Sequence, residues 1–309
     1  MMVGSQGFVP DPRNERVSIW LNGDLVPRSE AKVSVFDAGF VLGDGVWEGL
    51  RLVNGRLAFL DEHLDRLYSA AQVLAIDLEM NRKTLTRALY KTVEANGMRE
   101  GVHVRLMVTR GTKITPNQDP RATISGPTVV IIAEHKEPDP ASRKRGLALI
   151  TSPYRTSGPD VFDMHLNTHS RLNLIQALIQ ASNLGADEAL MLDPSGHVAS
   201  CNATNFFVVR GGAVWTSTGR FCFKGITRGH VVSLCREHAI PVEERDFTLA
   251  AAYSADEAFV TGTFGGVTPV ATLDGRSFAA GACGAVTARL ASLYRDLLQE
   301  ECATGPHQA

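Results

Sequence analysis

VWEGLRLVNGRLAFLDEHLDRLYSAAQVLAI, residues 46–76, carries two structural signals in succession. Its first half sets Asn54-Gly55 between two apolar runs, a dipeptide whose tolerance of left-handed backbone suits a two-residue hairpin. Its second half spaces Leu60, Leu64, Leu67, Ala71 and Leu74 at helical intervals, so an amphipathic helix follows the hairpin directly. Upstream, VSIWLNGDLVP (17–27) repeats the hairpin signal at Asn22-Gly23. Downstream, RKTLTRALYKTVEANG (82–97) reads as a second helix stopped at Gly97. VHVRLMVTRG (102–111) and GPTVVIIAEH (126–135) read as strands on either side of a polar loop. Residues 17–135 are therefore expected to form a small α+β domain, preceded by a loose polar arm over residues 1–16.

KEPDPASRKR (136–145), rich in proline and charge, reads as the linker to a larger second domain over 146–309. There LALITSPY, EALMLDPSG, NFFVVRGGAVWT, IPVEERDFT and EAFVTGTFGGVTPV are strand-like. SRLNLIQALIQASNLG, TRGHVVSLCREHA and GAVTARLASLYRDLLQEE are amphipathic helices, so this domain is mixed α/β. A formal net charge of −2 leaves no large single-sign field. That argues against nucleic acid or an anionic membrane and for a small-molecule partner. The N-terminal stretch has neither a basic segment nor an apolar one of the kind that directs export, and no apolar run approaches a membrane span, so a cytoplasmic protein is expected. Five cysteines, an odd number without CxxC or metal-ligand spacing, argue against a disulfide framework or a metal site.

GITRGHVVSLCREH (225–238) runs from Gly225 straight into a helix, which leaves the N–H groups of Ile226 and Thr227 at the positive end of the helix dipole. Thr261-Gly262-Thr263 follows the strand EAFV and offers further small donors. Arg66, in the helix HLDRLYSA, has the charge and fork geometry that phosphate favours. Each also has a plain structural reading, as an ordinary helix start, a strand end and a solvated arginine.

Taken together, FDAGFVLGDGVWEGLR, HLDRLYSA, GITR and FVTGTFGGVTPV occur in the order and spacing of the class IV, or fold type IV, aminotransferases. The chain resembles branched-chain and D-amino acid aminotransferases and aminodeoxychorismate lyase from Val17 to about Leu298. The resemblance implies a small α+β domain, a larger α/β pseudo-barrel domain and a homodimer whose first-domain loops help close the partner's cleft. It also implies a phosphate cup for pyridoxal or pyridoxamine 5′-phosphate made by Arg66, Gly225, Ile226, Thr227, Gly262 and Thr263. The family's Schiff-base lysine, placed without gaps against the helix SRLNLIQALIQA, falls at Asn167, and the glutamate that faces the pyridine nitrogen falls at Ser200. No lysine lies between Lys144 and Lys224.

If MHLNTHS (164–170) is extended, His165, Asn167 and His169 share a face, and the two imidazoles become candidate acid/base groups. By the same alternation Cys201 points away from Ser200; it is a candidate nucleophile or an inert buried thiol. Trp47, Glu48 and Arg51, with Asp44 beside them, lie in the segment that lines the substrate side in relatives. Lys113 and Arg121 are the cations available for a substrate carboxylate. Three functions remain open. The first is amine or amino-acid chemistry with the cofactor held non-covalently. The second is a lyase, isomerase or hydrolase that has no such cofactor and turns the cup to its substrate. The third is a non-catalytic ligand-binding protein.

Overall fold

The computed structural model describes residues 4–303; residues 1–3 of the expected arm and 304–309 of the expected second domain lie outside the described residues. The chain divides into two compact units. One comprises Pro10–Glu137, Leu166–Ser170 and the stretch from Gln299; the other comprises the residues up to Val9, Pro138–His165 and Arg171–Leu298. The division is thus not the contiguous one suggested by composition.

The first unit holds a six-stranded sheet ordered Asp24–Pro27, Ser18–Leu21, Thr128–His135, Val102–Thr109, Gly45–Val53, Arg56–Leu57, antiparallel throughout. The Asn22-Gly23 and Asn54-Gly55 turns make its two short hairpins, with positive φ at all four residues. Side chains alternate across the sheet. Val46, Leu50, Leu52, Val104, Leu106, Val108 and Ile131 form one core with Leu64 and Leu67 of the helix Leu60–Val73 and Leu85 and Leu89 of the helix Arg82–Ala95. The opposite face carries Trp47, Arg51, His103 and Arg105.

The second unit is built on a nine-stranded mixed sheet. Its path runs Val242–Glu244, Ala213–Thr216, Asn205–Arg210, Glu257–Gly262, Gly266–Leu273, Leu147–Thr151, Glu188–Leu192, Val198–Cys201, and Arg276–Ser277 pairs off that path with Gly266–Leu273. Val198–Cys201 and Asn205–Arg210 lie five positions apart along this path, yet only residues 202–204 join them. Five strand spacings in a flat sheet are about 24 Å, whereas four Cα–Cα steps reach at most about 15 Å. The sheet must curl back on itself, as a pseudo-barrel does. The helix Leu172–Asn183 lays Ala177 and Ala181 on Ala189 and Met191, and the helix Ile226–Glu237 and residues 285–298 of the helix Ala285–Glu301 belong to the same unit. No helix among the described residues is long and apolar enough to cross a membrane.

Three stretches differ from the sequence reading. The arm is not loose: Ser5 is buried and bonded to Glu188, Asp139 N donates to Gly7 O at 3.1 Å, and Asn14 is tied to His135. The linker contains the helix Pro140–Arg145, because Asp139 caps Ala141 N, Pro140 suits the first helical position, and the closing Arg143, Lys144 and Arg145 complement the dipole. The segment 164–170 is not a strand, since Asp163 Oδ1 accepts from His165 N and bends the chain there; only Thr168 is bridged, to Val46.

Candidate active site

In the second unit, the helix start and the strand end that carry the predicted anion donors are joined through Asn205. Asn205 pairs with Thr261 across antiparallel strands, so both side chains leave the same face of the sheet. The Asn205 carboxamide reaches the start of the helix Ile226–Glu237: Gly225 N donates to Oδ1 at 3.1 Å, and Nδ2 donates to Phe223 O at 2.7 Å. A Cβ on Gly225 would lie 2.5 Å from Asn205 Oδ1, so a side chain there would push the carboxamide out of this junction. Gly225 is the N-cap and no side chain caps this helix, leaving the first-turn amides of Ile226 and Thr227 without capping from a side chain. Thr227 is buried with its hydroxyl 3.2 Å from that of Tyr294. Thr261, 1% exposed, has a buried hydroxyl without a hydrogen-bond partner on the face to which Asn205 ties the helix. Gly262 closes the strand and Thr263 follows it. Two amides at a helix N-terminus and an unsatisfied hydroxyl are a donor set that fits a phosphate monoester.

In the first unit, Arg66 is tied to Glu48. Arg66 Nε donates to Oε1 at 2.8 Å and Nη2 to Oε2 at 2.6 Å, and His63 Nδ1 lies 2.7 Å from the same Oε2. Burial pushes the Glu48 carboxyl up, but the hydrogen bonds from Arg66 and His63 outweigh it and hold the carboxyl below its usual range. Glu48 is fully buried. Its expected place in the substrate pocket is therefore corrected. Strand alternation sends it to the helix-covered face with Val46 and Leu50, where it anchors the arginine.

Trp47 and Arg51 face the other way. The Arg105 guanidinium lies 3.8 Å from the centroid of the Trp47 ring, and Trp47 Nε1 donates to Thr168 O at 3.0 Å. His103 is opposite Arg51. Burial, reinforced by the charges of Lys136, Arg105 and Arg51, pushes its imidazole down to about 3, so it stays neutral. The sequence reading passed over His103 and Arg105, although they alternate with Val102, Val104 and Leu106 in VHVRLMVTRG and so had to leave the core face. Asp44 is paired with Arg110 at 2.6 Å. Lys113 is buried with Nζ donating to Asp119 O at 2.9 Å, and Arg121 is paired with the Asp119 carboxylate on the surface. Both cations expected to meet a carboxylate are thus engaged by Asp119.

Asn167 and Ser200, the residues that the resemblance sets at the lysine and glutamate positions, are both buried. Asn167 exchanges bonds with Trp47: its Nδ2 donates to Trp47 O at 2.5 Å, and its carbonyl accepts from Trp47 N at 2.9 Å. Ser200 Oγ donates to Thr204 O at 2.7 Å. His165 and His169 do not share a strand face. His165 is in the second unit, with Nδ1 2.8 Å from Asp163 Oδ1 and Nε2 2.7 Å from Gly219 O; His169 is in the first, its Nε2 donating to Val46 O at 3.1 Å. Burial, with the nearby Glu188 charge, pushes the Cys201 thiol far above its ordinary value, which leaves it a poor nucleophile.

The family model described as amino-transferase class IV matches residues 45–273. Branched-chain-amino-acid aminotransferase-like protein 1 of Arabidopsis thaliana is 38% identical over 292 residues, 94% of this chain but 52% of that protein, so the chain spans about half the length of this relative. A putative branched-chain-amino-acid aminotransferase of Methanocaldococcus jannaschii is 37% identical over 91% of this chain and 96% of its own length. Among solved structures, a T.th. branched-chain amino acid aminotransferase with pyridoxamine 5′-phosphate superposes with a TM-score of 0.86 at 30% identity, covering 93% of this chain and 95% of that one.

Proposed function

Because this chain belongs to the class IV aminotransferase family, we propose that it acts on an amine or amino acid with pyridoxal or pyridoxamine 5′-phosphate held without a covalent bond to a lysine. The observation that carries the reading is the junction at Asn205, which brings the uncapped helix start to the sheet face bearing the unsatisfied Thr261 hydroxyl. Such a cofactor, when bound, supplies an electron sink and a carbonyl or amine for group exchange. Ile226 and Thr227 N–H, the Thr261 hydroxyl and the Gly262-Thr263 strand end would hold its phosphate.

Asn167 has no amine to offer, and Ser200 carries no charge with which to hold a proton on a ring nitrogen. Affinity then rests on the phosphate donors, and proton transfer falls to groups other than a lysine at position 167. A general base alone contributes about 10²–10⁴-fold, so turnover should be slow by the family's measure. The cofactor-free reading is less supported, because each of the two histidines it relies on has its Nε2 at a backbone carbonyl.

We further propose a homodimer in the cytoplasm. Val35, Phe36, Phe40 and Leu42, together with Ile114 and Ile124, are exposed in one region of the first unit, laced by Lys113 N to Phe36 O and Ile124 N to Thr112 O, and an apolar patch of that kind suits a second copy. Absorbance titration of the purified protein with pyridoxal phosphate tests the cofactor reading. Saturable binding is the expected result, and no binding at millimolar concentration would sink it.

A further inference from the structure

The residues that shape the anion donors rest on a buried carboxyl that neither the family motifs nor the proposed chemistry uses. Thr204 is the last residue of the turn between Val198–Cys201 and Asn205–Arg210. Its carbonyl accepts from Ser200 Oγ at 2.7 Å and Cys201 N at 2.8 Å, and its methyl group would be 3.4 Å from a Cβ on Gly262. The next residue, Asn205, holds Gly225. Thr204 thus lies beside the strand end and directly precedes the residue that holds the helix start.

What places Thr204 is Glu188. Thr204 Oγ1 donates to Glu188 Oε2 at 2.7 Å, and Ser5 Oγ donates to Oε1, so both carboxyl oxygens are engaged by hydroxyls. Glu188 is 2% exposed. Asp187, its neighbour, is taken up by Arg145 at 2.9 Å, and the charge of Glu188 in turn acts on the Cys201 thiol of the adjacent strand. The N-terminal residues complete the enclosure: a Cβ on Gly4 would lie 2.8 Å from Asp187 O, and one on Gly265 would lie 3.4 Å from Ser5 O. The segment that the sequence presents as an arm thus seals the carboxyl beside the Thr263–Gly265 loop.

We propose that Glu188 is a positioning residue for the phosphate donors, acting through Thr204 on the Asn205–Gly225 junction, with Ser5 as the strap that closes it. Burial pushes the Glu188 carboxyl up to about 7, so the fold keeps an acid here that costs it stability at neutral pH. An apolar residue would be less costly if packing were the only role. The inference rests on the proposed phosphate reading of this site.

The test is a double-mutant cycle on the dissociation constant for pyridoxal phosphate, measured by absorbance titration of folded full-length protein. Glu188→Met and Thr204→Val should each weaken binding about tenfold, the double variant should weaken it no further, and Thr204→Ser should bind within about twofold of the parent. Loss of stability alone does not produce this pattern, because affinity is read on protein that circular dichroism reports as folded. If Glu188→Met does not fold, the contrast between Thr204→Val and Thr204→Ser decides the matter. Parent-like affinity in the single variants, or losses that add in the double variant, overturns the inference and leaves the phosphate reading intact. No binding by the parent overturns both.

Discussion

Glu188→Gln replaces a buried acid with a neutral side chain of nearly the same shape, and its effect on stability should depend on pH in a defined window. The carboxyl is pushed up by burial, from an ordinary 4.5 to about 7. Below pH 4.5 the group is protonated whether the chain is folded or not, and it contributes nothing. Between 4.5 and 7 the unfolded chain gives up the proton while the folded chain keeps it, so the parent loses stability as pH rises. Above 7 both states are ionised and the loss is complete. The gap converts to about 3 kcal/mol at about 1.36 kcal/mol per pH unit, an order-of-magnitude figure. Glutamine does not titrate. Relative to the parent, Glu188→Gln should therefore gain about 3 kcal/mol between about pH 4.5 and pH 8, read from urea unfolding midpoints at several pH values. A difference between the two proteins that stays constant across that range would be incompatible with an acid that keeps its proton on folding.

Other outcomes follow from the same geometry. Glu48→Gln leaves Arg66 without its buried counter-charge and should cost about 3–5 kcal/mol in chemical denaturation. Ile226→Pro removes one N–H at the first helical position, where proline is tolerated, so unfolding should shift little while the dissociation constant for pyridoxal phosphate rises about tenfold. Phe40→Asp, at a side chain 72% exposed, should leave the fold intact and shift a dimer to monomer in light scattering; an unchanged mass would count against the proposed interface.

The hairpins were legible because Asn22-Gly23 and Asn54-Gly55 act locally, and the long helices because their apolar spacing repeats over several turns. Ala38–Leu42 and Leu249–Tyr253 are too short for such a repeat to accumulate. Proline and charge in 136–145 signal a linker as readily as a capped helix, and only Asp139 before Pro140 tells them apart. Glu48 could have been assigned correctly, since period-two alternation separates it from Trp47 and Arg51. The role of Asn205 as a junction was beyond sequence, because its partners Thr261 and Gly225 meet it only after the sheet has curled. The same holds for Ser5 and Glu188, 183 residues apart in sequence.

Borohydride reduction of the pyridoxal phosphate-saturated protein, followed by peptide mass mapping, reads directly whether a lysine carries the cofactor. Asn167 and the absence of any lysine between Lys144 and Lys224 predict saturable binding with no pyridoxyl adduct on a lysine, and Asn167→Lys with Ser200→Glu should create one at position 167. A reduced adduct on a lysine of the unaltered chain, formed in proportion to binding, would contradict non-covalent binding.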